Sequence, residues 1–182
     1  PDSLEALQST DLKIIETLDF NGIDHGNHAT QQKKQGDFPA GDERYHDYEE
    51  LKTELMKLQA ENPELARVHD LGKTIEDRQI PGIHINSDPE ALETEMSGKP
   101  GIVFTGAHHA REHLSTEIPL MLAQHLLKNK DVEPIKTLLE TRDIWIFPMI
   151  NPDGVEYDIK GGKYKLWRKN RRDNGRGIYG VD

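Results

Sequence analysis

Residues 101–115 read GIVFTGAHHAREHLS, and they contain the features from which the fold and the chemistry can be inferred. The first part is mainly apolar and predicts a short buried strand over 101–107. Three histidines, an arginine and a glutamate follow within residues 108–113. Side chains directly after a buried strand are well placed to bind ligands, because the sheet fixes the backbone beneath them. The stretch therefore predicts a site at the end of a strand.

Helices and strands alternate on both sides of this stretch. The apolar spacing predicts these elements in chain order: a helix over 45–58, strands over 65–72, 79–86 and 101–107, helices over 114–126 and 132–141, and a strand over 143–150. Residues 4–18 predict a further helix and residues 87–100 a polar loop. Residues 151–182 predict a turn-rich tail, whose last segment RGIYGVD has strand character but no partner. Such alternation predicts an α/β sheet covered on both faces.

The composition excludes several classes of protein and of site. The 182 residues suffice for one domain or most of one, and their net charge of −10 argues against nucleic acid as a partner. The chain has no cysteine, so a metal would have to be held by His, Asp or Glu. No apolar run is long enough to predict a membrane span.

Two interpretations of the histidine cluster as a zinc site compete. In the first, His109 and Glu112 are the ligands, a His-x-x-Glu pair on one face of the first helical turn. In the second, HAREH is the inverted zincin pattern, in which His109 and His113 bind zinc and Glu112 is the general base. The context favours the first, because an inverted zincin motif lies inside a helix, whereas His109 follows the predicted strand almost at once. A third reading is that the histidines are only polar residues at a strand-to-helix junction.

Several motifs in order make the chain similar to the zinc metallocarboxypeptidases, the funnelin-type family of carboxypeptidases A, B and T. HHAREH resembles the zinc motif of that family, INPDG at 150–154 its turn after a central strand, and KLWRKNRR at 165–172 its arginine-bearing segment. The final GVD resembles the beginning of a further family segment. DFPAGDERYHDYEEL at 37–51 is closest to the mature start of the bacterial carboxypeptidase T branch. The resemblance covers residues 37–182 and implies an α/β/α sandwich around a mixed sheet, here incomplete at the C-terminus.

The resemblance also implies roles for single residues. It places Zn²⁺ on His109 and Glu112. It matches Arg168 to the arginine that stabilises the oxyanion of the tetrahedral intermediate, and Arg111 to an arginine that binds the peptide away from the cleaved bond. We expect Trp167 to pack in the core. The other cations of the basic run are expected to be solvated, namely Lys165, Lys169, Arg171 and Arg172.

By the same resemblance, parts of the site lie outside this sequence. The family's third zinc ligand, its carboxylate-binding Asn-Arg pair and tyrosine, and the glutamate that activates water belong to a segment beyond Asp182. Catalytic zinc usually takes three protein ligands, so we expect this chain alone to be inactive. Residues 1–36 are expected to be a prosegment tail or linker, with a flexible stretch suited to cleavage at 31–36. Residues 37–182 would then be the N-terminal part of the catalytic domain, which the remaining part of that domain completes.

The function implied is removal of C-terminal residues from peptides and proteins with a free C-terminus, by a secreted or periplasmic enzyme made as a zymogen. Two other functions stay open. A related zinc deacylase or cell-wall peptide amidohydrolase would share the zinc arrangement but recognise a different end of its substrate. A non-catalytic fragment or pseudoenzyme would keep the fold and lack the downstream histidine and glutamate.

Overall fold

The computed structural model of the protein describes residues 37–182. The helix predicted over 4–18 and the prosegment tail predicted over 1–36 lie outside these residues. The regular elements are, in chain order, α1 (Tyr48–Glu61), β1 (Ala66–Lys73), β2 (Gln79–Ile85), α2 (Pro89–Thr94), β3 (Gly101–Thr105), α3 (Leu114–Lys128), α4 (Ile135–Thr141), β4 (Asp143–Phe147) and α5 (Pro152–Ile159).

Within residues 37–182, the strands form one mixed sheet of four strands in the order β1-β2-β4-β3. β1 pairs with β2, and β2 with β4, in antiparallel orientation, whereas β3 and β4 are parallel. A crossover that contains α3 and α4 joins the two parallel strands, since parallel neighbours cannot be joined by a tight turn. The predicted α/β fold around a mixed sheet is therefore confirmed.

Helix α1 is the one predicted over 45–58, but it begins at Tyr48 and ends at Glu61. The Asp47 carboxylate accepts a hydrogen bond from the Glu50 amide, and the Glu50 side chain accepts one from the Asp47 amide, which makes a capping box. The helix ends at Glu61, before Pro63, because a residue that precedes proline avoids the helical backbone conformation. Its buried residues recur at a spacing of three or four: Tyr48, Leu51, Leu55 and Leu58.

One face of the sheet, here called the aliphatic face, carries the core. The cross-strand pairs Ile83–Ile146 and Ile85–Ile144 lie on it, and all four side chains are at most 1% exposed. Burial of each such side chain contributes about 1.5–3 kcal/mol, so this face holds the helices to the sheet. The same buried cluster includes residues of α1, α3 and α5, among them Leu55, Leu120 and Val155.

The opposite face, here called the polar face, carries His69, His84, Asp143 and Trp145. His84 is fully buried, its Nε2 lies 2.6 Å from Asp143 Oδ1, and its ring stacks on Trp145 with 3.9 Å between ring centres. Trp145 Nε1 also donates to Asp143, over 3.0 Å. This face is therefore built around a buried carboxylate rather than around aliphatic side chains.

The strand that precedes the histidine cluster differs from its prediction. β3 forms one edge of the described sheet and pairs only with β4, so Val103 is 63% exposed and Phe104 38% exposed. The apolar run was expected to be buried. β3 does pair in parallel with β4, as a buried interior strand of an α/β sheet would. Within residues 37–182, no other strand covers its outer side. The prediction of a strand is confirmed, and the prediction of its burial is wrong for the part of the chain described.

Two helices were not predicted. α2 lies in the segment expected to be a polar loop, where the Asp88 side chain caps the helix by accepting a hydrogen bond from Glu90 N. α5 lies in the segment expected to be turn-rich, where Asn151 caps it and Pro152 stands in its first turn. The strand character of RGIYGVD amounts to one isolated bridge between Asp173 and Tyr179.

Candidate metal site

The histidine cluster occupies the turn that joins β3 to α3, and a glycine fixes this turn against the sheet. A Cβ atom on Gly106 would lie 2.0 Å from the carbonyl oxygen of Ser115 and 2.6 Å from that of Pro148, so no larger residue fits. The Ser115 hydroxyl accepts a hydrogen bond from Ala107 N over 3.0 Å. The start of α3 is thereby held directly over the end of β3.

His109 and Glu112 face each other in the turn before α3, not on the first helical turn as predicted, because the helix begins only at Leu114. Both carboxylate oxygens of Glu112 lie 3.0 Å from His109 Nδ1. The other ring nitrogen, His109 Nε2, lies 2.8 Å from Nη2 of Arg168. A guanidinium group can only donate hydrogen bonds, so Nε2 is the acceptor and Nδ1 carries the proton that faces Glu112.

This donor set fits a zinc ion. Imidazole nitrogen and carboxylate oxygen are both zinc ligands, and a metal ion would replace the proton that lies between Nδ1 and the carboxylate. In residues 37–182, however, His, Cys, Asp and Glu side chains form no group of three or more that could hold a metal. His109 and Glu112 could therefore provide two ligands of a site that needs more.

Arg168 joins the pair although it lies 59 positions from His109 in the sequence. Its Nη1 donates to Glu112 Oε1 over 3.3 Å, and its main-chain oxygen accepts from Ala110 N over 2.9 Å. Its Nε donates over 2.7 Å to Asp182 Oδ1, which also lies 3.6 Å from His109 Nε2. Asp182 was missed from the sequence, because an aspartate in a turn-rich segment has no pattern that points to a site.

His113 points to a different environment. Its Nε2 lies 2.9 Å from Oδ2 of Asp158, and both residues are buried. Its ring packs against Phe38, with 5.0 Å between ring centres, and stacks on Tyr164 at 5.2 Å. Burial, together with a hydrogen bond to Asp42, raises the pKa of the Tyr164 hydroxyl above its ordinary value. The partner of His113 is thus a buried carboxylate of α5.

Arg111 is exposed and stands at an open cleft beside the cluster. The cleft has a volume of about 750 Å³. Its walls combine polar side chains with exposed apolar ones, and the lining residues include Arg111, Tyr45, Leu114, Ile118, Tyr164 and Leu166. A cation beside apolar surface can contact a peptide through both its carbonyl groups and its side chains.

The basic run around Arg168 contains one residue that was wrongly predicted. Arg171 is not a solvated charge: its side chain is 14% exposed and its guanidinium lies 3.7 Å from the ring centre of Tyr157. Aromatic faces that come together only in the folded chain provide this contact. Trp167 packs against the core as predicted. The remaining cations are exposed as predicted, namely Lys165, Lys169 and Arg172.

Comparison with known proteins identifies the family. The sequence profile of the zinc carboxypeptidase family (Peptidase_M14) matches residues 51–182. A zinc carboxypeptidase of Saccharothrix mutabilis subsp. capreolus is 36% identical over 93% of this chain and 39% of its own length. Zinc carboxypeptidase A 1 of Anopheles gambiae is 31% identical over 84% of this chain and 32% of its own length. The chain thus spans 32–39% of the length of these relatives.

Solved structures agree with this match. The carboxypeptidase A of Helicoverpa armigera aligns with a TM-score of 0.59 at 29% identity, over 71% of this chain and 30% of that one. Thrombin activatable fibrinolysis inhibitor aligns with a TM-score of 0.65 at 22% identity, over 75% of this chain and 33% of that one, which shows a shared fold. A closer likeness to carboxypeptidase T is not tested by these relatives and stays a prediction. In the part that the structure describes, no helix is long and apolar enough to span a membrane. The profile match and the identity to curated relatives show that the chain belongs to the zinc carboxypeptidase family.

Proposed function

We propose that the protein in its full length is a zinc-dependent metallocarboxypeptidase, which removes the C-terminal residue from peptides and proteins. The observation that carries this proposal is the convergence of His109, Glu112 and Arg168 beyond β3, in a chain of this family. Hydrolysis of a peptide bond by a zinc enzyme needs metal ligands and a fixed donor for the oxygen that gains charge. Both kinds of group are present here.

His109 and Glu112 are proposed as two of the zinc ligands. Their donor atoms lie 3.0 Å apart, and the Arg168 contact to Glu112 orients the carboxylate. When bound, zinc would polarise the scissile carbonyl group and lower the pKa of a water molecule. A third ligand and the base that accepts the water's proton would come from the remaining part of the catalytic domain. The isolated chain is therefore expected to be inactive.

Arg168 is proposed to donate hydrogen bonds to the oxygen at the cleaved bond. Asp182 and Glu112 hold its guanidinium in place, so little reorganisation is needed when charge develops. Arg111 is proposed to contact the peptide further from that bond, along the open cleft. Residues 1–36 are proposed as the tail of a prosegment, and the enzyme as secreted or periplasmic, on the family resemblance alone.

The ligand assignment is tested by two substitutions in the full-length protein. Glu112→Gln is expected to lower the zinc content and affinity, because an amide is a weaker zinc ligand than a carboxylate. His113→Gln, which keeps a donor toward Asp158, is expected to retain most of the zinc. Zinc is measured by metal analysis and by competition with a chelator, and release of a C-terminal residue is assayed alongside. Retention of zinc in the first variant with loss in the second would establish the inverted zincin assignment instead.

A further inference from the structure

Helix α5 lies in the sequence between the two segments that carry the proposed site, and its capping residue Asn151 and its own Asp158 are buried polar residues. Asn151, at its beginning, is 9% exposed, and Asp158, in its last turn, is fully buried. Each of them contacts both the histidine turn and the Arg168 segment. A buried polar side chain lowers the stability of the fold unless its hydrogen bonds are made. Two such residues that bond to both segments therefore fix the position of one segment relative to the other.

Asn151 joins the main chain on either side of the site. Its Nδ2 donates to the carbonyl oxygen of His108 over 3.0 Å and to that of Lys169 over 3.3 Å. These carbonyls belong to the immediate neighbours of His109 and Arg168. Capping the helix needs only Oδ1, which accepts from Gly154 N over 3.2 Å. The two bonds from Nδ2 therefore serve a different purpose from the cap.

Gly154 makes room for this arrangement. A Cβ atom there would lie 2.7 Å from the carbonyl oxygen of Lys169 and 2.7 Å from Nδ2 of Asn151. Main-chain oxygen cannot move away without shifting the segment that carries Arg168. The glycine thus allows that segment to approach the helix closely.

Asp158 makes a second connection on the other side of the site. Its Oδ1 accepts a hydrogen bond from the main-chain nitrogen of Trp167 over 2.5 Å. Its Oδ2 contacts His113 Nε2 over 2.9 Å. Asn151 thus bonds to residues 108 and 169, and Asp158 to residues 113 and 167. The proposed site residues His109, Glu112 and Arg168 lie between these positions in the sequence.

We propose that Asn151 and Asp158 are positioning residues, which set the place of the Arg168 guanidinium relative to His109 and Glu112. The direct bond from Ala110 N to Arg168 O, 2.9 Å long, lies between these two connections and reports whether the segments are docked. The catalytic consequence rests on the proposed function, whereas the docking itself does not. Neither residue touches the reacting atoms in this role.

The test is Asn151→Ser in the full-length protein. Serine still caps the helix but cannot reach the two carbonyl oxygens. We expect kcat for peptide hydrolysis to fall about 10- to 100-fold with KM little changed, because a shift of about 1 Å in a catalytic group can cost about 10²-fold. The zinc content should stay close to that of the wild type, whereas the unfolding midpoint should fall somewhat, because the carbonyl oxygens of His108 and Lys169 lose a donor. Asn129→Ser is the matched control, since Asn129 Nδ2 donates only within the end of α3, to His125 O over 2.8 Å. Asn151→Asp gives the same readouts if the serine variant does not fold.

Two further measurements separate positioning from general stability. Hydrogen exchange of the Ala110 amide, followed with and without zinc, should be faster in Asn151→Ser than in the control. In the Arg168→Ala background, Asn151→Ser should reduce kcat little further, because the residue it positions is gone. Unchanged exchange and kcat in Asn151→Ser, or losses that simply multiply in the double variant, would overturn the proposal. If the wild-type protein hydrolyses no peptide, the proposed function fails, while faster exchange at Ala110 still supports the positioning role.

Discussion

The two faces of the sheet are stabilised in different ways. On the aliphatic face, isoleucines of β2 and β4 are buried against leucines of the helices, and no single contact has a required direction. On the polar face, His84, Asn86 and Trp145 all donate to one carboxylate, that of Asp143. Apolar burial is roughly proportional to the area covered, whereas a buried carboxylate needs each of its partners.

This difference predicts how each face responds to damage. Removing methyl groups from the aliphatic face leaves a cavity whose cost grows with its volume. Removing the carboxylate from the polar face takes one acceptor from His84, Asn86 and Trp145 at once, although Asn86 keeps its bond to Ser97. The polar face should therefore tolerate single changes less well, although it buries fewer large aliphatic side chains.

The largest expected effect is that of Asp143→Ala. Each buried donor that loses its acceptor costs about 1–3 kcal/mol of the free energy of unfolding, and this carboxylate has three donors. Asp143→Asn is the control, since it keeps an oxygen acceptor of the same size and should cost clearly less. Urea unfolding monitored by circular dichroism gives both values. Equal losses in the two variants would show that volume, and not the carboxylate's hydrogen bonds, determines the stability of this face.

A smaller effect is expected from Ile146→Ala on the aliphatic face. Ile146 is fully buried, and truncation of such a side chain costs about 3 kcal/mol through lost burial and the cavity left behind. Val103→Ala on the other face is the comparison, because Val103 is 63% exposed and its truncation should cost less than about 0.5 kcal/mol. The same unfolding measurement applies. A large loss in Val103→Ala would mean that β3 is covered in the full-length protein.

The aliphatic face could be predicted from the sequence, and the polar face could not. Alternating isoleucines over 83–85 and 144–146 indicate strands with a buried side, which is what β2 and β4 have. Nothing local tells that His84 and Asp143, which are 59 positions apart, form a buried pair. The exposure of β3 was missed for a related reason: an apolar run predicts a strand but does not say how many neighbours that strand has.

The candidate site shows the same division. The His-x-x-Glu spacing predicted that His109 and Glu112 lie close together, and they do, but in the turn before α3 rather than on its first helical turn. Arg168 was found only through the family resemblance. Asn151 lies in the INPDG motif, but its role and that of Asp158 were missed, since their bonds run to residues that are distant in the sequence.

The smallest expected effect concerns the pH dependence of the polar face. Burial lowers the pKa of His84 below its ordinary value of 6.5, although the bond to Asp143 acts in the opposite direction. Burial alone would raise the pKa of Asp143, but hydrogen bonds from His84, Asn86 and Trp145 outweigh it and lower the pKa. His84 is therefore neutral near pH 7 and donates Nε2–H to an ionised carboxylate. His69 lowers and Glu95 raises its pKa, and Arg67 is its cross-strand partner in β1.

The sign of the effect follows from which state binds more protons. Below about pH 6.5, His84 becomes protonated in the unfolded chain but stays neutral in the native chain until a lower pH. The free energy of unfolding should therefore fall as the pH drops through that value. The contribution of Asp143 is lost only at a lower pH, below its ordinary value of 3.8, and does not interfere. Urea unfolding at pH 7.5 and 5.5 should show a smaller decrease in His84→Gln, which cannot titrate, than in the wild type. His125→Gln, at an exposed histidine of α3, should behave like the wild type. Equal losses of stability in His84→Gln and the wild type over this interval would contradict the prediction. They would mean that burial does not lower the pKa of His84 in the native chain relative to the unfolded chain.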